Sequence, residues 1–346
     1  MGAVPLRARL TAIFGALVLA PDTMLRLTRF ESSSKWLTSW GIVFYRAWGR
    51  LLFLPLLYVL VHGKSGAYVD AVRALGARRL WLGAALYMVQ NVAFIVAASM
   101  TYIASVLSIV ATGPLCSALF SSYFLRDERV PTHTWLASFA CVGWVLLIFA
   151  DALESGGETR HVVGTSVALL VPIGTGAFWT FCKANPDADM VPALSTSGIL
   201  GQTLALVVMF SSSRRDGDEG GLAAPLVPVS DDGGVAVTAL VFQCLLVAAA
   251  FMFLTIGAKD VPSAEVSLYL LMELPVATLL VWWATGETPP WQVFVGAAGL
   301  LCTMGLESWI GIVSSRRGDE DDTDEDDTEP DEAVGLEDVG PSVADG

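Results

Sequence analysis

The chain has 346 residues, 54% of them apolar and 16% charged, whereas a soluble domain carries about 25% charge; an ordinary soluble protein is excluded. The formal net charge of −14 belongs to one end, because residues 319–346 hold 14 Asp and Glu and no Lys or Arg, which leaves 20 acidic and 20 basic residues in 1–318. The body is electrically balanced, and no nucleic-acid partner is expected.

A hydrocarbon core about 30 Å thick takes roughly 20 apolar residues per helix. Ten stretches meet that length, at 10–28, 40–61, 80–99, 102–125, 133–151, 162–183, 190–210, 235–257, 262–284 and 291–313. In the first, Arg7 and Arg9 precede an apolar run that ends at Pro21 and Asp22, a pattern shared with signal peptides. No small-x-small cleavage site leads into a polar mature start, so the segment reads as a retained helix. Residues 211–234, rich in Gly, Asp and Ser, read as a flexible loop between the seventh and eighth spans. The acidic tail, 318–346, is too polar and self-repelling to bury a core and is expected to be disordered. Cys116, Cys141, Cys182, Cys244 and Cys302 stand singly in apolar stretches, as small core residues do. The histidines at 62, 133 and 161 lie near loop edges, so no metal site, no cofactor and no enzymatic activity are expected.

Residues 98–127 and 258–287 look like two copies of one design displaced by 160 positions. At that offset Ala98, Ala104 and Val106 meet Ala258, Ala264 and Val266, and Asp127 meets Glu287, each acidic residue standing just before prolines. With the N-terminus inside, 12 basic residues fall on the cytoplasmic side and 6 outside, so both termini are expected in the cytoplasm. Five helices per copy is an odd number, and the second copy must enter the membrane inverted. The expected fold is therefore an all-α integral membrane protein of ten transmembrane helices, arranged as two inverted five-helix repeats over 1–151 and 162–313. Such repeats mark secondary transporters, whose site lies between the halves.

An ionisable group at the bilayer centre costs roughly 2.5–3.5 kcal/mol, so each requires a partner or a use. Glu273 reads as the deepest, about eleven residues into the ninth span. It is either a carboxyl that steadies a helix interrupted by Pro275 or a proton-coupling group. Asp22 and Arg46 reach similar depth, as an ion pair between helices or, for Arg46, as a fork for a substrate carboxylate or phosphate; Arg50 shares the Arg46 face. Glu265 reads as an interfacial, helix-start carboxylate, and Asp127, Glu128 and Glu287 as helix exits. Gln90, Asn91, Tyr102 and Trp179, with Gln202 and Gln243, are candidates to line a small-molecule pocket.

The string EVSLYLLMELPVATLLVWWATGETPPWQVFVGAAGLL, the earlier ATGPLCSALFSSYFLRDERVP, and LAPDTMLRL followed by FYRAWGR together resemble the drug/metabolite transporters with EamA-type repeats, over nearly the whole chain to about residue 313. LRDE departs from that pattern, since the family usually has a Gly before its acidic residue, and the acidic tail lies outside it. The resemblance implies ten helices around a central cavity, alternating access, and small organic substrates such as amino acids, other metabolites or amphipathic compounds. The expected partners are then such a substrate, the lipid bilayer of the plasma membrane or an organelle, and protons if transport is coupled, with the chain a monomer or homodimer. The alternatives are a nucleotide-sugar or sugar-phosphate carrier of the same superfamily, and a receptor or scaffold that signals through its tail.

Overall fold

A computed structural model of the chain describes residues 6–25, 39–64, 66–101, 103–125, 130–148, 159–216, 233–285 and 291–326. Thirteen helices and no strands are found among them: α1 (Leu6–Leu25), α2 (Ser39–His62), α3 (Ala67–Met100), α4 (Ile103–Val110), α5 (Gly113–Phe124), α6 (Thr132–Ile148), α7 (Thr159–Ala168), α8 (Leu170–Lys183), α9 (Val191–Asp216), α10 (Gly233–Gly257), α11 (Ser263–Leu270), α12 (Glu273–Thr285) and α13 (Trp291–Asp326). In hydrocarbon only structures that satisfy their own backbone groups are stable, which is why apolar runs of this length become helices. Among the described residues, seven helical segments are long and apolar enough to cross a membrane, and the chain is an integral membrane protein. Leu52, Leu56, Leu60, Phe139, Trp283 and Trp309 are exposed at the surface, as side chains facing lipid are.

Three expected spans are interrupted. The segment 102–125 breaks at Ala111–Thr112, the segment 162–183 at Leu169, and the segment 262–284 at Leu271–Met272. Tight bonds from Thr112 to Ile109 and from Leu271 to Leu268 and Met272 to Tyr269 close the first and last of these turns. Each is succeeded by a proline in the first turn of the next helix, Pro114 in α5 and Pro275 in α12, where the missing N–H is not needed. The two breaks lie 160 residues apart, the same displacement that relates the two sequence blocks.

Packing obeys a paired scheme. Helix α1 lies against α10, and α3 against α7 and α8; α1 also meets α12 as α8 meets α5; α2 lies against α10 as α9 does against α3. Helix α2 meets α9, α6 meets α13, and α5 meets α11. Close approach is made by small residues, since a Cβ on Gly257 would come within 2.8 Å of the Ala8 carbonyl of α1, and one on Gly176 of α8 within 2.8 Å of the Ser117 nitrogen of α5. Small residues at such contacts let membrane helices gain dispersion energy where no hydrophobic force acts between them. Within α3, Gly76 adopts φ 73° and ψ 153°, a kink inside a helix that runs from Ala67, ahead of the expected span start at 80. Helix α13 continues to Asp326, past the expected start of the tail at 318; residues 327–346 lie outside the described residues.

Candidate functional site

Helices from both halves of the chain surround a partly open cavity. Leu19 and Asp22 of α1, Arg46 of α2, Tyr87, Gln90, Asn91 and Phe94 of α3, Gly113 of α5, Thr175 of α8, Phe251 of α10, and Ser267, Leu270, Leu271, Glu273 and Leu274 around the second helix break all face it. Five of the seven candidate residues, Asp22, Arg46, Gln90, Asn91 and Glu273, thus stand on one cavity wall or another. Tyr102 lies outside the described residues. Trp179 is completely buried behind the cavity, stacked on Phe251 at 6.4 Å between ring centres, so it supports the wall without reaching the space. Glu273 is corrected as well: it is the first residue of α12, after the turn at 271–272, not a mid-helix group.

The charged side of the cavity is held together by side chains distant in sequence. Arg46 Nη1 donates to Asp22 Oδ2 at 3.2 Å, and Gln243 Nε2 donates to Asp22 Oδ1 at 2.6 Å. One turn along α2, Arg50 donates from Nη1 to Asn91 Oδ1 at 3.2 Å and lies 5.3 Å from the Tyr87 ring centre. Arg50 is 1% exposed, and its Nε and Nη2, like Nε of Arg46 and Nε2 of Gln90, have no hydrogen-bond partner among the described residues. Gln90 also accepts from Thr175. One guanidinium, Arg46, therefore meets Asp22 at the cavity wall, with Arg50 one turn behind it on Asn91, and the two keep donor groups to spare, a composition suited to an anionic group on a bound molecule. Aromatic and aliphatic walls from Tyr87, Phe94, Phe251 and Leu274 suit an apolar body attached to it.

A second buried charge cluster was not recognised in the sequence. Arg9 of α1 approaches both oxygens of Glu265 of α11, Nη2 to Oε1 and Nε to Oε2, each at 3.4 Å. Tyr269 donates its hydroxyl to Glu265 Oε2 at 3.2 Å, Ser308 of α13 reaches Tyr269 at 3.5 Å, and Thr134 of α6 donates to Glu307 Oε1 of α13 at 3.1 Å. Glu265 is thus corrected from an interfacial group to a fully enclosed one, 5% exposed. Between this cluster and the cavity, α5 and α11 are joined by two hydroxyl pairs, Ser117 with Ser267 at 2.5 Å and Ser121 with Ser263. Arg9 and Asp22 stand thirteen residues apart on α1, about 20 Å along a helix axis. The cluster and the charged cavity wall therefore occupy opposite ends of the bundle. Glu307, a lone carboxylate in the apolar run of the last span, was the available signal for it.

No family model matches the sequence, and no curated protein matches it. Among solved structures, a protein crystal structure superposes with a TM-score of 0.67 at 16% sequence identity, covering 88% of this chain and 97% of the other. At that identity the likeness is one of fold.

Proposed function

We propose that the chain is a secondary transporter of small organic metabolites, amino-acid-like or amphipathic compounds that carry an anionic group, working by alternating access. The observation that carries this reading is the central cavity lined by the buried Asp22–Arg46 pair and bordered by helix breaks at 111–112 and 271–272. Discontinuous helices in corresponding positions of two halves are where transporters build their sites, because an unwound turn frees backbone groups to meet a ligand within the membrane. The reciprocal packing of α1 on α10 and of α8 on α3 supports two repeats of like build, and the balance of basic residues supports both termini on the cytoplasmic side. The resemblance of the sequence to EamA-type drug/metabolite transporters supports the same architecture. In this reading Arg46 receives the anionic group with Arg50 adding positive charge behind it, Gln90 and Asn91 orient the molecule, and Glu273, at the head of α12, faces its other end.

The same two arginines favour, as a second reading, a carrier of sugar phosphates or nucleotide sugars. Flux into liposomes holding the purified chain separates the two, with amino acids, organic acids, organic cations and nucleotide sugars offered with and without a pH gradient. Saturable flux of a carboxylate-bearing compound, weakened in Arg46→Gln and Glu273→Gln, is expected; selective flux of the phosphorylated compounds would favour the second reading. If nothing on the panel crosses, transport is refuted and a receptor or scaffold acting through its tail takes its place.

A further inference from the structure

We infer that Glu265 and Glu307 hold one proton between them and that this proton closes a gate at the end of the bundle opposite Asp22. The inference rests on the transport reading for its purpose but on the cluster's own geometry for its existence. Glu265, Glu307 and Arg9 are 5%, 2% and 3% exposed. The guanidinium of Arg9 lies along Glu265 and acts on Glu307 only from a distance, with no hydrogen bond or ion pair to it among the described residues. Glu307 receives the Thr134 hydroxyl on Oε1, while its Oε2 is buried with no hydrogen-bond partner among the described residues. An ionised carboxylate with a bare, buried oxygen is costly. A proton on Oε2 removes that cost and leaves the cluster neutral, with two carboxyl groups, one guanidinium and one proton.

The other groups that face the pair leave this inventory intact. His133 of α6 lies within electrostatic range of Arg9, and Cys141 of the same helix within range of Glu307. Lys183 of α8 acts on Glu265 from a distance, with its ammonium on the carbonyls of Lys259 and Asp260. Tyr269 is a neutral donor to Glu265, and α5 turns serines toward α11.

What makes the cluster a gate is the helix that carries it. Helix α11 has eight residues and is separated from α12 by the turn at 271–272. Glu265 and Tyr269 form one of its faces, bound to α1 and α13; Ser263 and Ser267 form another, bound to α5. Ser267, Leu270 and Leu271 are also cavity wall. When Glu307 gives its proton to water, a carboxylic acid becomes a carboxylate and the cluster gains one negative charge. The two carboxylates then repel across the α11–α13 contact, and the short helix is released from its neighbours at a ready-made hinge.

Two measurements on the full chain in liposomes test this without any substrate. Infrared pH-difference spectra should show the carbonyl stretch of a buried carboxylic acid disappearing as pH rises, with the band lost in Glu307→Gln and retained in Glu273→Gln and in the exposed-site control Asp70→Asn. Hydrogen exchange, corrected for its intrinsic pH dependence, should show residues 263–270 losing protection over the same pH interval in the wild type and staying protected in Glu307→Gln. A carboxylic acid band that never titrates, no such band, or a band that depends on Glu273 overturns the proton site. Titration without any change in α11 protection overturns the gate. If the liposomes show no flux of any compound, transport fails by itself, and the band and the exchange still decide the proton site and its gate.

Discussion

The Asp22–Arg46 pair offers a direct energetic test. Asp22→Asn keeps the shape of the side chain and removes its charge, leaving Arg46, 5% exposed, without its ion-pair partner. At the observed 3.2 Å and an effective dielectric of about 20, the lost attraction is about 5 kcal/mol. Measured losses on removing one partner of a buried pair run at about 3–5 kcal/mol, because the remaining charge stays desolvated. The single variant should therefore be destabilised by about 3–5 kcal/mol in equilibrium denaturation monitored by tryptophan fluorescence. Arg46→Met alone should also lose stability, since it removes the guanidinium paired with the buried Asp22. The double variant Asp22→Asn with Arg46→Met removes both charges and should recover at least about 2 kcal/mol relative to the sum of the single changes. Additive losses, or an Asp22→Asn variant within about 1 kcal/mol of wild type, would show that the two groups do not rely on each other, and the cavity wall would not be held by their pairing.

Gln90→Leu removes one hydrogen-bonding group from the cavity and should cost about 0.5–1.5 kcal/mol of substrate affinity, a rise in half-saturating concentration of roughly two- to twelvefold. Trp179→Phe, behind the wall, should leave that concentration unchanged while lowering stability by about 1–2 kcal/mol; flux titrations and thermal unfolding check both. Gly257→Val places a side chain against the Ala8 carbonyl and should cost about 1–3 kcal/mol by overpacking α1 against α10, read in the same unfolding assay. Deletion after Arg317 should spare flux if the chain transports, and a deletion that abolished it would place function in the tail.

Membrane helices announce themselves in a sequence because the bilayer imposes both length and composition, and the apolar runs around Leu51, Ala84, Leu204 and Val247 fall inside long helices. The breaks within 102–125 and 262–284 were harder to read. Leu271 and Met272 are good helix formers, and the prolines beyond the two turns, Pro114 and Pro275, are weak markers because an uninterrupted helix start tolerates proline equally well. Asp22 with Arg46 was legible because each is an isolated charge in an apolar run and both fall at similar depth. Arg9 with Glu265 was not, since each lies near a helix start, where charges normally meet water, and 256 residues separate them. Trp179 stood out as a large aromatic in mid-span, but whether such a ring faces a cavity or packs behind it depends on neighbours such as Phe251 that no local pattern reveals.

The matched breaks are equal in position and unequal in chemistry. At the 160-residue displacement, Ser263, Glu265, Ser267 and Tyr269 of α11 correspond to Ile103, Ser105, Leu107 and Ile109 of α4, and Glu273 corresponds to Gly113. Helix α4, sequence IASVLSIV, contains no ionisable residue, and its Val106 is completely buried. If the two halves act as opposed gates, the one on α11 is ionic and the one on α4 is apolar. A contact held by dispersion and apolar packing has no charge state to change, so the two should part company when pH is varied. In the exchange experiment on the full chain, residues 263–270 should lose protection as pH rises while residues 103–110 keep theirs, and both should keep it in Glu307→Gln. Equal loss in the two segments would mean that alkaline pH loosens the whole bundle, and a proton held at Glu265 and Glu307 would then not be what holds α11 in place.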